Sequence, residues 1–371
     1  MTEPLTLRTL LNELVAQRLL SGSAVLQITE TLMAEQINGL SIKPPTPWFI
    51  NLVVAISAWL ALIPFLAFFS LWIDTVDSII VAGTFLIITT VWFQTLQQRD
   101  ALFFNQLALA LNLCGQLLLI SSIFIKTQNN VATTTLVTIG LEIGLLVVYQ
   151  DNILRFLAII LATFATLILF YELNSYQAIH GIILVLALGT IGCWLGESYH
   201  LTNESLRNWY QPLGYGFVSA LLLVLLLSIL PKIELIPPFN WWYSTIGLTM
   251  LLLMVELSLL KRNNSPINSL RSYAILIGTI VIAFLLYQAP GIIAALLVLL
   301  LGFQRHNRLL MSIAFLFLTV FLVAYYYHLD ITLLMKSITL ISSGLALLLL
   351  RFLLKHAFPR LEERQLINTK A

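Results

Sequence analysis

Apolar residues fill this chain in long runs separated by short polar breaks, and about twelve of those runs have the length of a bilayer-crossing helix. They lie near residues 48–71, 78–96, 101–125, 131–149, 153–171, 178–195, 213–230, 241–260, 272–288, 289–303, 309–328 and 331–350. A hydrocarbon core about 30 Å thick needs about 20 apolar helical residues, because lipid offers no partner to an unpaired backbone N–H or C=O. The pattern therefore predicts an all-α fold, a polytopic transmembrane helix bundle of about twelve spans over residues 48–350. The ninth and tenth runs are short and separated only by Gln288, Ala289, Pro290 and Gly291, so a full hairpin and a re-entrant loop both fit there.

The opening segment follows a different pattern. Leu7, Leu11, Leu14 and Arg18 recur at helical spacing, as do Val25, Ile28, Leu32 and Gln36, while Ser21-Gly22-Ser23 stops one helix and caps the next. Residues 1–47 read as a short helical hairpin followed by the stiff connector of Pro44, Pro45 and Pro47. A docking element and a membrane-proximal cap are both open for it. Residues 351–371 read as a basic tail.

Charge adds an orientation. Sixteen of the 19 Lys and Arg fall on one side of the zigzag: Arg8, Arg18, Lys43, Arg99, Arg155, Arg207, Lys261, Arg262, Arg271, Arg305, Arg308, Arg351, Lys355, Arg360, Arg364 and Lys370. Lys126 and Lys232 fall on the other, and Lys336 lies inside the last run. Basic residues near span ends resist translocation, so the crowded side, with both termini, is predicted to be cytoplasmic. Only 10% of residues are charged, against about 25% in soluble domains, and the lipid bilayer is the partner this composition implies. The first 20 residues lack a signal peptide's basic start and apolar core, so they should stay attached.

Cys114 and Cys193 both fall within predicted spans, where they pack as small apolar residues and indicate neither a disulfide nor a thiol–metal framework. The loop from Glu197 to Pro212 divides six spans from six, yet Gln97-Gln98-Arg99-Asp100 lacks the Gly and basic cluster of the major facilitator pattern. Phosphate-cradling Gly-Lys-Ser, His-Glu-x-x-His, Gly-x-Ser-x-Gly and paired intramembrane Asp motifs are all missing, as is a basic, aromatic-interleaved patch. The expectation is no metal, no cofactor, no nucleic-acid partner and no enzyme activity.

The most specific string lies in the last third. It runs Leu301-Gly302-Phe303-Gln304-Arg305, Asn307-Arg308-Leu309-Leu310, Tyr326-Tyr327, Leu329-Asp330, Thr332-Leu333-Leu334, Lys336-Ser337, then Gly344 to Arg351. Phe104-Asn105-Gln106-Leu107-Ala108 and Gly115-Gln116 add to it. This string resembles the bacterial multi-pass family called domain of unknown function 4401. The resemblance covers most of the chain after the N-terminal segment and implies a bacterial inner-membrane location. It implies no activity, but it does imply a membrane partner, since members resemble genes beside another small membrane family with a Gly-Asp-Tyr signature.

Polar residues inside the spans are the candidate functional groups. Glu142 lies about 16 Å of helical rise into its span, near mid-bilayer, where an ionised carboxylate costs at least a few kcal/mol. Asn105, Asn112 and Gln116 share one face of the preceding span, and Asn112 and Gln116 bracket Glu142 in depth. A hydrogen-bonded packing cluster and a proton or cation relay are both open, and Gly140 and Gly144 would let another helix approach closely. At the opposite end of the last two spans, Tyr327, His328, Asp330 and Lys336 form either an interfacial anchor or a periplasm-facing binding site. Asp330 is also placed to cap the helix beginning at Ile331.

Three further groups have structural readings. Glu256 lies about 6 Å from the end of its span and should find Lys261 or Arg262. His180 should be a hydrogen-bonded interfacial residue, and Gly189, Gly192 and Gly196 a seam for close helix contact. Two functions follow as expectations: a non-enzymatic subunit or assembly partner of an inner-membrane complex, or a small-solute or ion/proton-coupled transporter using Glu142 with the Asn105, Asn112, Gln116 stripe.

Overall fold

The computed structural model describes residues 48–70, 75–96, 102–149, 151–196, 209–229, 240–262 and 270–328, with single positions at 337, 341 and 348. Among them are eleven α-helices, one 3-10 turn and no strand. In chain order these are α1 (Trp48–Ser70), α2 (Val76–Leu96), α3 (Leu102–Lys126), α4 (Val131–Val148), α5 (Asn152–Glu172) and α6 (Ala178–Leu195). Then come α7 (Tyr210–Leu226), the 3-10 turn (Leu227–Ile229), α8 (Trp242–Arg262), α9 (Leu270–Leu285), α10 (Pro290–Gln304) and α11 (Arg308–His328). The N-terminal hairpin of residues 1–47, the run 331–350 apart from those single positions, and the basic tail lie outside the described residues.

Seven helices are long and apolar enough to cross a membrane: α2 to α6, α8 and α11. Shorter apolar segments lie at Leu52–Phe65, Tyr210–Leu226, Ile275–Leu285 and Pro290–Gln304. The first eleven apolar runs thus fold as helices close to their expected bounds; the described residues are all-α, and the candidate spans mark an integral membrane protein.

Local chemistry sets the helix ends. The side chain of Asn130 accepts from the Thr133 amide to start α4, and Asp151 accepts from the amides of Ile153 and Leu154 to start α5. Pro290 opens α10, where its missing N–H costs no helical bond. Tight turns use positive backbone φ at Gln128, Asn129, Asn174 and His306, and Asn tolerates that region better than most residues. Inside the spans, hydroxyls turn back on their own helix: Thr134, Thr135, Thr138, Thr163 and Thr190 each donate to the carbonyl four residues earlier.

The chain forms two compact units, residues 1–67 with 98–110, and residues 68–97 with 111–371. In the first, α1 carries Pro64 in its interior and Ser57 bonds back to the Val53 carbonyl. The second holds the main core, built from α5, α6, α7, α8, α10 and α11. Its centre is α7 and α10: Val218, Leu221, Leu225, Ile293, Leu297 and Leu301 are all fully buried. These two short helices are surrounded by protein rather than lipid. A helix that is hydrophobic all round is a buried one, and here its length does not have to match the bilayer.

Within the second unit, α2 and α3 meet at Gly83 and Gly115. A Cβ built on either glycine would lie 2.9 Å from the other's carbonyl oxygen, so the two backbones touch. Gly140 and Gly144 differ, because nothing among the described residues lies within 4 Å of a Cβ at either position. No helix among those described makes the close approach that the sequence suggested for that pair. In the expected seam on α6, Gly189 packs on the Phe217 ring.

Gly115→Val should therefore lower stability by about 1–3 kcal/mol, because the added carbons meet backbone that must move. Thermal unfolding of the detergent-solubilised protein is the measurement. Gly144→Ala, which meets nothing, should melt with the natural chain.

Candidate functional site

The contact of α2 with α3 brings three buried polar side chains together. The Gln116 amide donates to Asn112 Oδ1 at 2.9 Å, the Asn112 amide donates to Thr90 Oγ1 at 2.8 Å, and the Thr90 hydroxyl donates to the carbonyls of Leu86 and Ile87. Each side chain is at most 4% exposed. The chain of donors ends on backbone oxygen. Thr90 was not a sequence candidate; it is one of four threonines on α2, and nothing in their spacing singled it out. Asn105, which falls in the first unit, is half-buried.

Glu142 stands on the buried face of α4 with Thr135, Leu145 and the C-cap residue Tyr149. It is 1% exposed, and neither carboxylate oxygen has a hydrogen-bond partner among the described residues. The expected bond to Asn112 or Gln116 does not form, because α4 packs chiefly on α5 rather than on α3. The neighbouring threonines cannot serve it either, since Thr134, Thr135 and Thr138 are bonded to their own helix. An ionised carboxylate without partners in an apolar setting costs several kcal/mol, so this group is stable there only as the neutral acid or with a bound cation.

Glu256 corrects a second expectation. It does not take Lys261; its Oε1 accepts from the Thr279 hydroxyl on α9 at 2.7 Å, and its Oε2 is buried without a partner among the described residues. The side chain of Arg262 lies outside the described ones. Lys261 stands exposed at the end of α8. His180 is hydrogen-bonded as expected: its Nδ1 lies 2.6 Å from Ser244 Oγ on α8, and its ring meets Trp241 and Tyr243. Of the proposed mouth site, Tyr327 is 73% exposed at the end of α11, which suits an interfacial aromatic. His328 is the last residue of that helix, and Asp330 and Lys336 lie outside the described residues. No group of three His, Cys, Asp or Glu able to hold a metal occurs among the described residues.

The α10–α11 turn, which carries the most distinctive sequence, works as a clasp. The Arg305 guanidinium donates to the carbonyls of Trp194 and Leu195 at 2.8 and 2.7 Å, capping the end of α6 with a cation where the helix dipole is negative. Asn307 accepts from the Leu310 amide to start α11, and its own amide donates to the Tyr215 hydroxyl on α7. Gly302 lets the Met311 backbone approach to 3.1 Å from where a Cβ would stand. Nearby, the Arg155 guanidinium lies 4.1 Å over the Trp209 ring. Reading Arg305 and Arg155 only as topology signals missed both roles.

The family model described as Domain of unknown function (DUF4401) matches residues 47–357. The chain belongs to that family. No curated protein and no solved structure matches it. The clasp gives the DUF4401 string a structural meaning: Gly302, Arg305 and Asn307 tie the end of α10 to α6, α7 and α11.

Buried amides closed on one another should not admit water. In a Cys114→Ala background, Asn112→Cys and Gln116→Cys should each stay unreactive toward a membrane-impermeant maleimide, read by gel shift. Rapid labelling at either position would show a wet path.

Proposed function

We propose that this DUF4401 protein is a non-enzymatic subunit or assembly partner of an inner-membrane complex, and that a transmembrane helix of the partner packs on α4. One observation carries the reading: α4 turns Gly140 and Gly144 outward, one turn apart, and nothing from another helix among the described residues lies within 4 Å of a Cβ at either. Leu136, Ile143 and Val147 stand exposed around them. Small residues four apart let helix backbones approach in lipid, where packing rather than the hydrophobic effect drives association. The opposite face of α4 is already occupied by α5, so the vacant seam is free for a second helix. The predicted cytoplasmic termini, twelve-span topology and gene neighbourhood belong to this same proposal.

A photocrosslinking residue at Leu136 or Val147 of the full chain in its native membrane should capture a different membrane polypeptide, identified by mass. Gly144→Ile should reduce that capture about tenfold while leaving the melting temperature unchanged. Crosslinks confined to this chain's own segments would remove the proposal.

Glu142 supports a second reading, proton or cation transfer, because a membrane-embedded acid with both oxygens bare is costly unless it is used. If this holds, the purified protein in vesicles containing a pH-sensitive dye should dissipate an imposed proton gradient, and Glu142→Gln should abolish the leak. Equal traces from empty vesicles and protein-containing vesicles would dispose of it.

A further inference from the structure

A second membrane-embedded acid faces a cavity. The space of about 480 Å³ lies between α8, α9, α10 and α11, and its walls are almost wholly apolar. Along α10 the wall residues are Ile293, Leu296, Leu299, Leu300 and Phe303, whose spacing of three and four positions keeps them on one broad helical face. That face extends about 15 Å along the helix. The groove exists because α9 leans on α8 rather than on α10. Glu256 and Thr279 are the polar side chains among the described lining residues. They are bonded to each other at 2.7 Å, which leaves Glu256 Oε2 buried and without a donor.

From this geometry we infer that the groove binds an amphiphile: an elongated apolar body along α10, with one hydrogen-bond-donating head, an amine or a hydroxyl, on Glu256 Oε2. Water is a poor occupant, because a buried water needs two to four polar partners and this wall offers one open acceptor. A plain hydrocarbon tail fills the groove but supplies no donor, leaving the acceptor unsatisfied at a cost. A carboxylate-headed molecule brings acceptors to an acceptor. Thr279 has a defined part: by donating to Oε1 it fixes the carboxyl plane and turns Oε2 toward the incoming head.

The test uses three dodecyl probes that carry a diazirine on the chain and differ only in the head: amine, alcohol and carboxylic acid. Each is photolysed with the full-length protein in lipid nanodiscs, and labelled peptides are mapped by mass spectrometry. The amine or the alcohol should label residues 293–303 about tenfold more than the acid. Leu296→Trp, which fills the groove, should suppress labelling by all three, and Glu256→Leu should abolish the discrimination between heads. An amine preference lost in Glu256→Gln identifies a cationic head, and an alcohol preference kept in that variant identifies a neutral one. Equal labelling by the three probes, or discrimination that survives Glu256→Leu in a variant with unchanged melting temperature, would overturn the inference.

Discussion

Hydrocarbon offers no hydrogen-bond partner, so each polar atom in a spanning helix finds one on the protein or goes without. Most here solve the problem within their own helix, as Thr84, Thr163, Thr166 and Thr190 do by bonding back one turn. A smaller set solves it across helices: Asn112 with Thr90, His180 with Ser244, Glu256 with Thr279, Arg305 with the end of α6. These cross-links occur where backbones come close enough for short side chains to reach, and the Gly83–Gly115 contact is the plainest case.

The exceptions carry the functional interest. Glu142 and Glu256 both keep a buried carboxylate oxygen with no donor, but in different surroundings. Glu142 is enclosed on the packed face of α4, whereas Glu256 opens on a groove large enough for a ligand. One chemical group, set in two environments, supports two different readings. On these proposals, enclosure would limit Glu142 to exchanging a proton or small cation, while the groove would give Glu256 an occupant with an apolar body.

The core also shows how a membrane bundle accommodates short helices. α7 and α10 have 17 and 15 residues, yet they form its most buried part. Lipid matching constrains only the helices that face lipid, and these two face α5, α6, α8 and α11. The segment from Gly302 to Leu310 orders the helices around them. The turn must place Arg305 and Asn307 on three other helices at once.

Much of the fold was legible in the sequence. Continuous apolar length marked α3 to α6 within a residue or two, and the distinctive string pointed to DUF4401. Solvent, element positions and helix faces are local properties, fixed by composition and by a period of 3.6 residues. Partners were not legible. Glu256 has two cations within six positions and bonds instead to Thr279, 23 residues away; Glu142 has amides at its depth and meets neither. Which helix lies opposite a polar face is decided by the packing of all the helices together, and no single span's periodicity encodes it. The sequence determined what each helix could offer, and only the tertiary structure decided which offers were taken, because a hydrogen bond reaches about 3 Å and nothing local sets that distance between separate helices.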